Sequence, residues 1–269
     1  MAPLILLLLW LIAGPAHAAE PATLDLGYNQ MYNLEFGEAH KTFEAYNRLR
    51  PDDPLGPVSN AAAYLFAEFD RLRVLQTEFF TQDDNFKPSK KLYPDPAVGK
   101  AFFGEMTKAE ALAVKALTAQ PKQTNALFAM IMIYGLRSDY DALIDKRLFS
   151  AFSAMKKSRT YANQLLAIDP TYYDAYMAVG VENYMLSLKP APIRWIMQLS
   201  GAETDKIKGV TQLRFTMEKG HYLQPFARLL MAVASLRDHN VNVAKEILSS
   251  LAKQFPRNHL YAEELARLK

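Results

Sequence analysis

The chain has 269 residues, half of them hydrophobic, and its 31 basic and 28 acidic side chains leave a formal net charge of +3. The charges are interspersed without a basic stripe, which speaks against nucleic acid as a partner. There are no cysteines, so disulfides, thiolate metal sites, a cysteine nucleophile and a lipidated cysteine tether are all excluded.

The first predicted element is the apolar run from Leu4 to Gly14, shorter than the roughly 20 residues that a helix needs to span a bilayer. Pro15 breaks it, and Ala16-His17-Ala18 places small residues where a signal peptidase cuts. This pattern predicts a secretory signal over residues 1–18 and a mature domain over 19–269. The alternatives are an uncleaved anchor and a buried terminal helix. Export to a Gram-negative periplasm is expected, with no integral membrane span once the signal is gone.

From residue 22 onward the composition is that of an all-α protein: glycine is scarce, Ala/Leu-rich stretches are long, and period-2 alternation is missing. Prolines punctuate the helical runs at a fixed register. Twelve, eight and two residues before Pro51 stand Ala39, Phe43 and Leu49. The same offsets give Ala109, Ala113 and Ala119 before Pro121, Ser158, Ala162 and Ile168 before Pro170, and Ala244, Leu248 and Gln254 before Pro256. Small residues at the first offset suit a close helix crossing, and the proline stops the helix.

The pattern predicts five helical hairpins, at roughly 22–50, 56–120, 124–169, 172–220 and 224–255, and a closing helix at 257–268. The second hairpin pairs a helix over 56–79 with one over 101–119. The polar, proline-rich stretch between them forms an insert at about 81–100. A second insert is expected at about 187–204. In it, Trp195, Ile196 and Leu199 share one face of a short helix, which is too short to stand alone and is expected to dock on the first helices of neighbouring hairpins. Arg194 is the only basic residue between Lys189 and Lys206, a sparser basic face than membrane-surface helices carry.

At these small-residue, aromatic and proline positions the chain resembles the tetratricopeptide repeat, a helix–turn–helix unit of about 34 residues. The resemblance implies a right-handed helical-hairpin solenoid with a C-terminal capping helix. Within the fourth hairpin, Gly180, Tyr184, the Pro190/Pro192 pair, Gly201, Lys206, Gly209, Leu213, Gly220 and Tyr222 are similar to exported bacterial repeat proteins of unassigned function. In the repeat family the first helix of each unit lines a concave groove. Carried over residue by residue, the groove positions are Leu55, Val58 and Leu65, then Asn125, Phe128 and Met132, then Met177, Val181 and Tyr184, with Trp195 added from the second insert. Such an apolar groove either binds something apolar or is filled by the protein itself.

No chemistry stands out. Of the five histidines, His17, His40, His221, His239 and His259, no two are three or four residues apart, and zinc-site and G-x-S-x-G patterns are missing. Asp141 and Asp145 share a helix face, read as solvated because Lys146 and Arg147 follow. Glu263 and Glu264 read the same way, and Asp83-Asp84-Asn85 lacks the glycine and distal glutamate of a calcium loop. The expectation is an exported protein–protein interaction or scaffold protein of the bacterial envelope, non-catalytic and without a cofactor. Its expected partner is another envelope protein or a peptide segment of one. The alternative is a binding protein for an apolar small molecule or lipid held in the groove.

Overall fold

The computed structural model describes residues 22–76, 81–82, 91–189, 194–195, 198–199, 201 and 203–268. The expected signal at 1–18, Asp83 to Asn85 of the first insert, and Pro190, Pro192 and Ile196 of the second lie outside the described residues. Among the described residues there are eleven α-helices and no strand. They are α1 (Leu24–Tyr32), α2 (Phe36–Leu49), α3 (Leu55–Arg71), α4 (Pro96–Ala119), α5 (Thr124–Asp139), α6 (Leu148–Ile168), α7 (Tyr176–Ser187), α8 (Lys206–Lys219), α9 (Gln224–Arg237), α10 (Val241–Gln254) and α11 (His259–Arg267).

Every helix packs against the next one in the chain, and the pairs run antiparallel. Across α7 and α8, for instance, Thr216 meets Tyr173, Leu213 meets Gly180, and Gly209 meets Tyr184. The odd-numbered helices also touch one another, α1 with α3 and α3 with α5. All the even-to-odd turns therefore lie along one edge of the row, where Pro51, Pro121, Pro170 and Pro256 sit. All the odd-to-even connections lie along the other, and both inserts belong to it.

The repeat offsets find the core at two positions of three. Ala39, Ala109, Ser158 and Ala244 are buried, and so are Phe43, Ala113, Ala162 and Leu248. The third offset does not: Leu49, Ala119, Ile168 and Gln254 are exposed. Four residues carry a side chain only about 40° round a helix, whereas six carry it about 240°, away from the shared face. One unit carries the same offsets without a proline. Gly209 and Leu213 are buried twelve and eight residues before His221, which stands where the other units have proline. We expect Ala109→Leu and Ala244→Leu each to destabilise by about 1–3 kcal/mol, because neither crossing has room for a longer side chain. Thermal melts read this directly.

The first insert begins and ends elsewhere than the sequence suggests. Helix α3 stops at Arg71, eight residues short of the expected 79. Arg73 takes a left-handed φ of 57°, and Val74 N–H donates back to Phe69 O at 2.7 Å, closing the helix in a Schellman turn. Leaving the helix is what lets Val74 and Leu75 bury their side chains. Helix α4 starts at Pro96, inside the expected insert, because Asp95 caps it by accepting from Ala97 N–H at 2.8 Å and proline suits a first turn.

The two ends of the described row of helices meet. The Tyr32 hydroxyl donates to Tyr222 O at 2.9 Å, Arg257 N–H to Asn33 Oδ1 at 3.2 Å, and Asn258 Nδ2 to Tyr32 O at 2.8 Å. Arg257 also pairs with Glu35. Inside this closure the aromatic side chains are continuous. Tyr222 stacks on Tyr28 at 4.9 Å and on Phe128 at 6.2 Å between centroids, and Phe66 meets Phe226 edge-on at 5.2 Å.

Candidate functional site

The interior is closed, so most of the residues expected to line a groove are core. Leu55, Val58, Leu65, Phe128, Met132, Met177 and Tyr184 are buried, and Val181 is half-buried. Asn125 is exposed, but it sits at the start of α5 on the proline edge, at the opposite side of the row from Trp195. What fills the space is α11 with the Tyr222–Phe226 turn. A cavity of about 20 Å³ remains between Met31, Tyr32, Phe66, Leu75, Phe226 and Tyr261. That is room for about one water molecule, far below the several hundred Å³ that a drug-sized ligand fills. Phe226, Phe255 and the Tyr28/Tyr32 pair were missed as interior residues. For Tyr28 and Tyr32 the sequence signal is their spacing of four in α1.

The odd-to-even edge is built differently. Among the described residues, each of its five connections contains one residue with positive φ: Leu34, Arg73, Lys146, Gly201 and His239. Four of these are not glycine, so the backbone is held there against its own preference by surrounding contacts. Three buried carboxylates, each near an arginine, supply such contacts.

In the first, Glu68 of α3 accepts from Arg71 Nε at 2.8 Å and Nη2 at 2.6 Å, and also from Asp95 N–H at 2.7 Å. Arg71 Nη2 reaches Tyr93 O at 2.7 Å as well, so both ends of the first insert are tied to one buried acid. In the second, a π-helical turn at Tyr140–Ile144 carries Asp141, which is fully buried rather than solvated. The π-turn rotates Asp141 inward, where it accepts from Arg147 Nη2 at 2.6 Å and from the Ser150 hydroxyl at 2.5 Å.

In the third, Glu182 of α7 is fully buried, and Arg159 Nε of α6 approaches its Oε2 at 3.2 Å. Neither carboxylate oxygen has a hydrogen bond of good geometry. Burial raises the Glu182 pKa, opposed by Arg159. Arg159 Nη2 donates to Gly201 O at 2.8 Å, and Asn183 Nδ2 donates to Glu203 Oε2 at 3.1 Å. The hydrogen bond from Lys208 holds Glu203 below the ordinary carboxylate range. A buried pair of this kind adds little net stability, since desolvation offsets most of the attraction. It does fix where the connections run.

This edge also carries most of the exposed apolar surface. Of the twelve large apolar side chains exposed among the described residues, eight are here: Tyr93, Leu148, Phe149, Trp195, Leu199, Ile207, Val241 and Val243. Phe149 is 95% exposed and Ile207 81%. Trp195 at 64% and Leu199 at 71% correct the expectation that their segment docks on the protein. The apolar interior they were expected to cover is already occupied.

Among the described residues no three acidic or histidine side chains are placed to hold a metal ion, and no helix is long and apolar enough to cross a membrane. His40 bonds to Asn60 Oδ1 at 2.6 Å over the Tyr64 ring, and His221 stacks on Tyr222 beside Asp25. No family model matches this sequence, and no curated protein matches it.

Proposed function

We propose that the chain is an exported, non-catalytic interaction protein of the bacterial cell envelope, a right-handed tetratricopeptide-type solenoid closed at its ends. Its partner is another envelope protein or a segment of one, met at the odd-to-even edge instead of in a concave groove. One observation carries this reading: the interior is filled by the protein's own side chains, while large apolar residues stay in water on connections that buried ion pairs hold in place. The repeat assignment is supported by the small-residue offsets and the antiparallel pairing, and the compartment by the N-terminal apolar run. A large apolar patch with polar surroundings is how soluble proteins mark interaction sites. Photo-crosslinking residues placed at Tyr93 and Val243 are expected to capture discrete protein adducts in intact cells, and the same residues at Leu49 and Ile168 on the proline edge are not. Adducts confined to the proline edge, or none at either, would falsify the assignment.

A further inference from the structure

We infer that an open groove between α8 and α10, floored by α9, binds a free basic amino acid of the lysine type. Helices α8 and α10 both pack on α9 and leave a channel of about 440 Å³ between them, within the range of small-molecule sites. It lies on the even-numbered helices, apart from the odd-to-even edge assigned to a protein partner. The groove between α4 and α6 is bridged from its floor: the Tyr134 hydroxyl of α5 donates to Glu110 at 3.0 Å, and the Tyr134 ring stacks on Tyr161 at 5.9 Å. No aromatic side chain lines the groove between α8 and α10, so it stays open.

The groove holds opposite charges apart. Arg228, on the floor, is half-buried. Its Nη1 donates to Gln254 Oε1 at 2.6 Å and its Nη2 to the Ser250 hydroxyl. Both acceptors are neutral, so the cation is fixed in place without being neutralised, and each of these nitrogens keeps a second N–H for a ligand. Glu218 on the α8 wall and Glu246 on the α10 wall are exposed. Among the described residues, neither pairs with Arg228 or with any other cation. Lys219, next to Glu218, lies instead over the Tyr173 ring, 5.1 Å from its centroid. Glu218 also stands in the last turn of α8, at the negative end of the helix dipole, where a carboxylate is disfavoured. Natural proteins break such local rules mainly at functional sites.

Charge then selects the occupant. The lining carries one cation and two carboxylates, so a complementary ligand has one carboxylate and two cationic groups. Met217 and Ile247, one on each wall, offer apolar surface to an aliphatic stem between those groups. A free basic amino acid meets the whole set. Its carboxylate faces Arg228, its two ammonium groups face Glu218 and Glu246, and its methylenes lie against Met217 and Ile247. A simple anion is repelled by the two glutamates, and an apolar amino acid leaves one of them without a partner.

Isothermal titration calorimetry of the purified protein with L-lysine at low ionic strength is expected to give saturable, single-site heat. Cadaverine, which lacks the carboxylate, is expected to bind about tenfold or more weakly, because a hydrogen-bonded charge is lost at Arg228. L-Leucine and Nα-acetyl-L-lysine each lack one cation and are expected to bind about two- to fivefold more weakly, since exposed ion pairs contribute modestly. The double substitution Glu218→Gln and Glu246→Gln is expected to lower lysine affinity by about tenfold. It should leave the far-ultraviolet dichroism and Tm unchanged, because both side chains are exposed and unpaired. Arg228→Gln also cuts the tie between α9 and α10, so the glutamate variant is the deciding one. Folded protein that gives no saturable heat with lysine overturns the assignment, as does equal binding of leucine or undiminished binding by the double variant. Equal binding of Nα-acetyl-L-lysine overturns it as well, and would assign the groove to the C-terminal lysine of a peptide. None of these results touches the crosslinking at Tyr93 and Val243, so either reading can fail while the other stands.

Discussion

Asp174→Ala is expected to destabilise the protein by about 4 kcal/mol and to lower Tm by roughly 8–16 °C, at about 2–4 °C per kcal/mol for a domain of this size. Asp174 is buried in the turn before α7. Its Oδ1 accepts from His221 N–H at 2.9 Å and Leu223 N–H at 3.0 Å, and its Oδ2 from Tyr222 N–H at 3.0 Å. Burial raises its pKa, and the three amides and His221 pull the other way. Alanine would take the acceptor from three amides around a buried position, and each charge-assisted bond contributes about 1.5–3 kcal/mol. The consequence reaches further than the turn, because these amides aim Tyr222 at Tyr28 and Phe128. Asp174→Asn keeps one acceptor oxygen, the one able to serve two of the amides, so about half the loss is expected. Equal melting temperatures for wild type and the alanine variant would show that this carboxylate does not hold the closure.

Gly209→Ala should destabilise by about 2–3 kcal/mol, whereas Gly37→Ala and Gly104→Ala should each stabilise by roughly 0.5–1 kcal/mol. All three glycines are helical, Gly104 in mid-helix and Gly37 and Gly209 in or near a first turn, so each gains helix propensity from alanine. They differ in what an added methyl meets. At Gly209 it would lie 2.5 Å from the Tyr184 backbone nitrogen and 3.0 Å from Gly180 O. Backbone cannot rotate aside, so α7 and α8 must separate. At Gly37 and Gly104 there is nothing within 4 Å. Chemical denaturation of the three variants gives the comparison, and a shared sign would mean that the α7–α8 crossing tolerates spreading.

The hairpins were legible because helix content, small-residue crossings and proline stops are local. Ala39, Ala109 and Ala244 could be placed at crossings from their offsets alone, and the hairpin limits agree with the helices within a few residues. The end of α3 was not legible, because its left-handed stop falls on Arg73, and glycine is the residue by which sequence announces such a turn. The same holds at Leu34, Lys146 and His239. Asp141 was misread for a related reason: a face drawn with a period of 3.6 does not survive a π-turn.

By itself, the sequence of this protein determined the class of elements, their number and their order, since each depends on residues within about a dozen positions of one another. Only the tertiary structure decided whether the odd helices leave a groove or close one. That outcome depends on Tyr32 meeting Tyr222 and on Asn33 meeting Arg257, contacts between residues 190 and 224 positions apart. The same is true of the exposed edge. Phe149, Trp195 and Ile207 are ordinary apolar residues in three separate stretches of sequence. They become one surface because antiparallel packing brings three helix ends together and the interior has no room left to bury them.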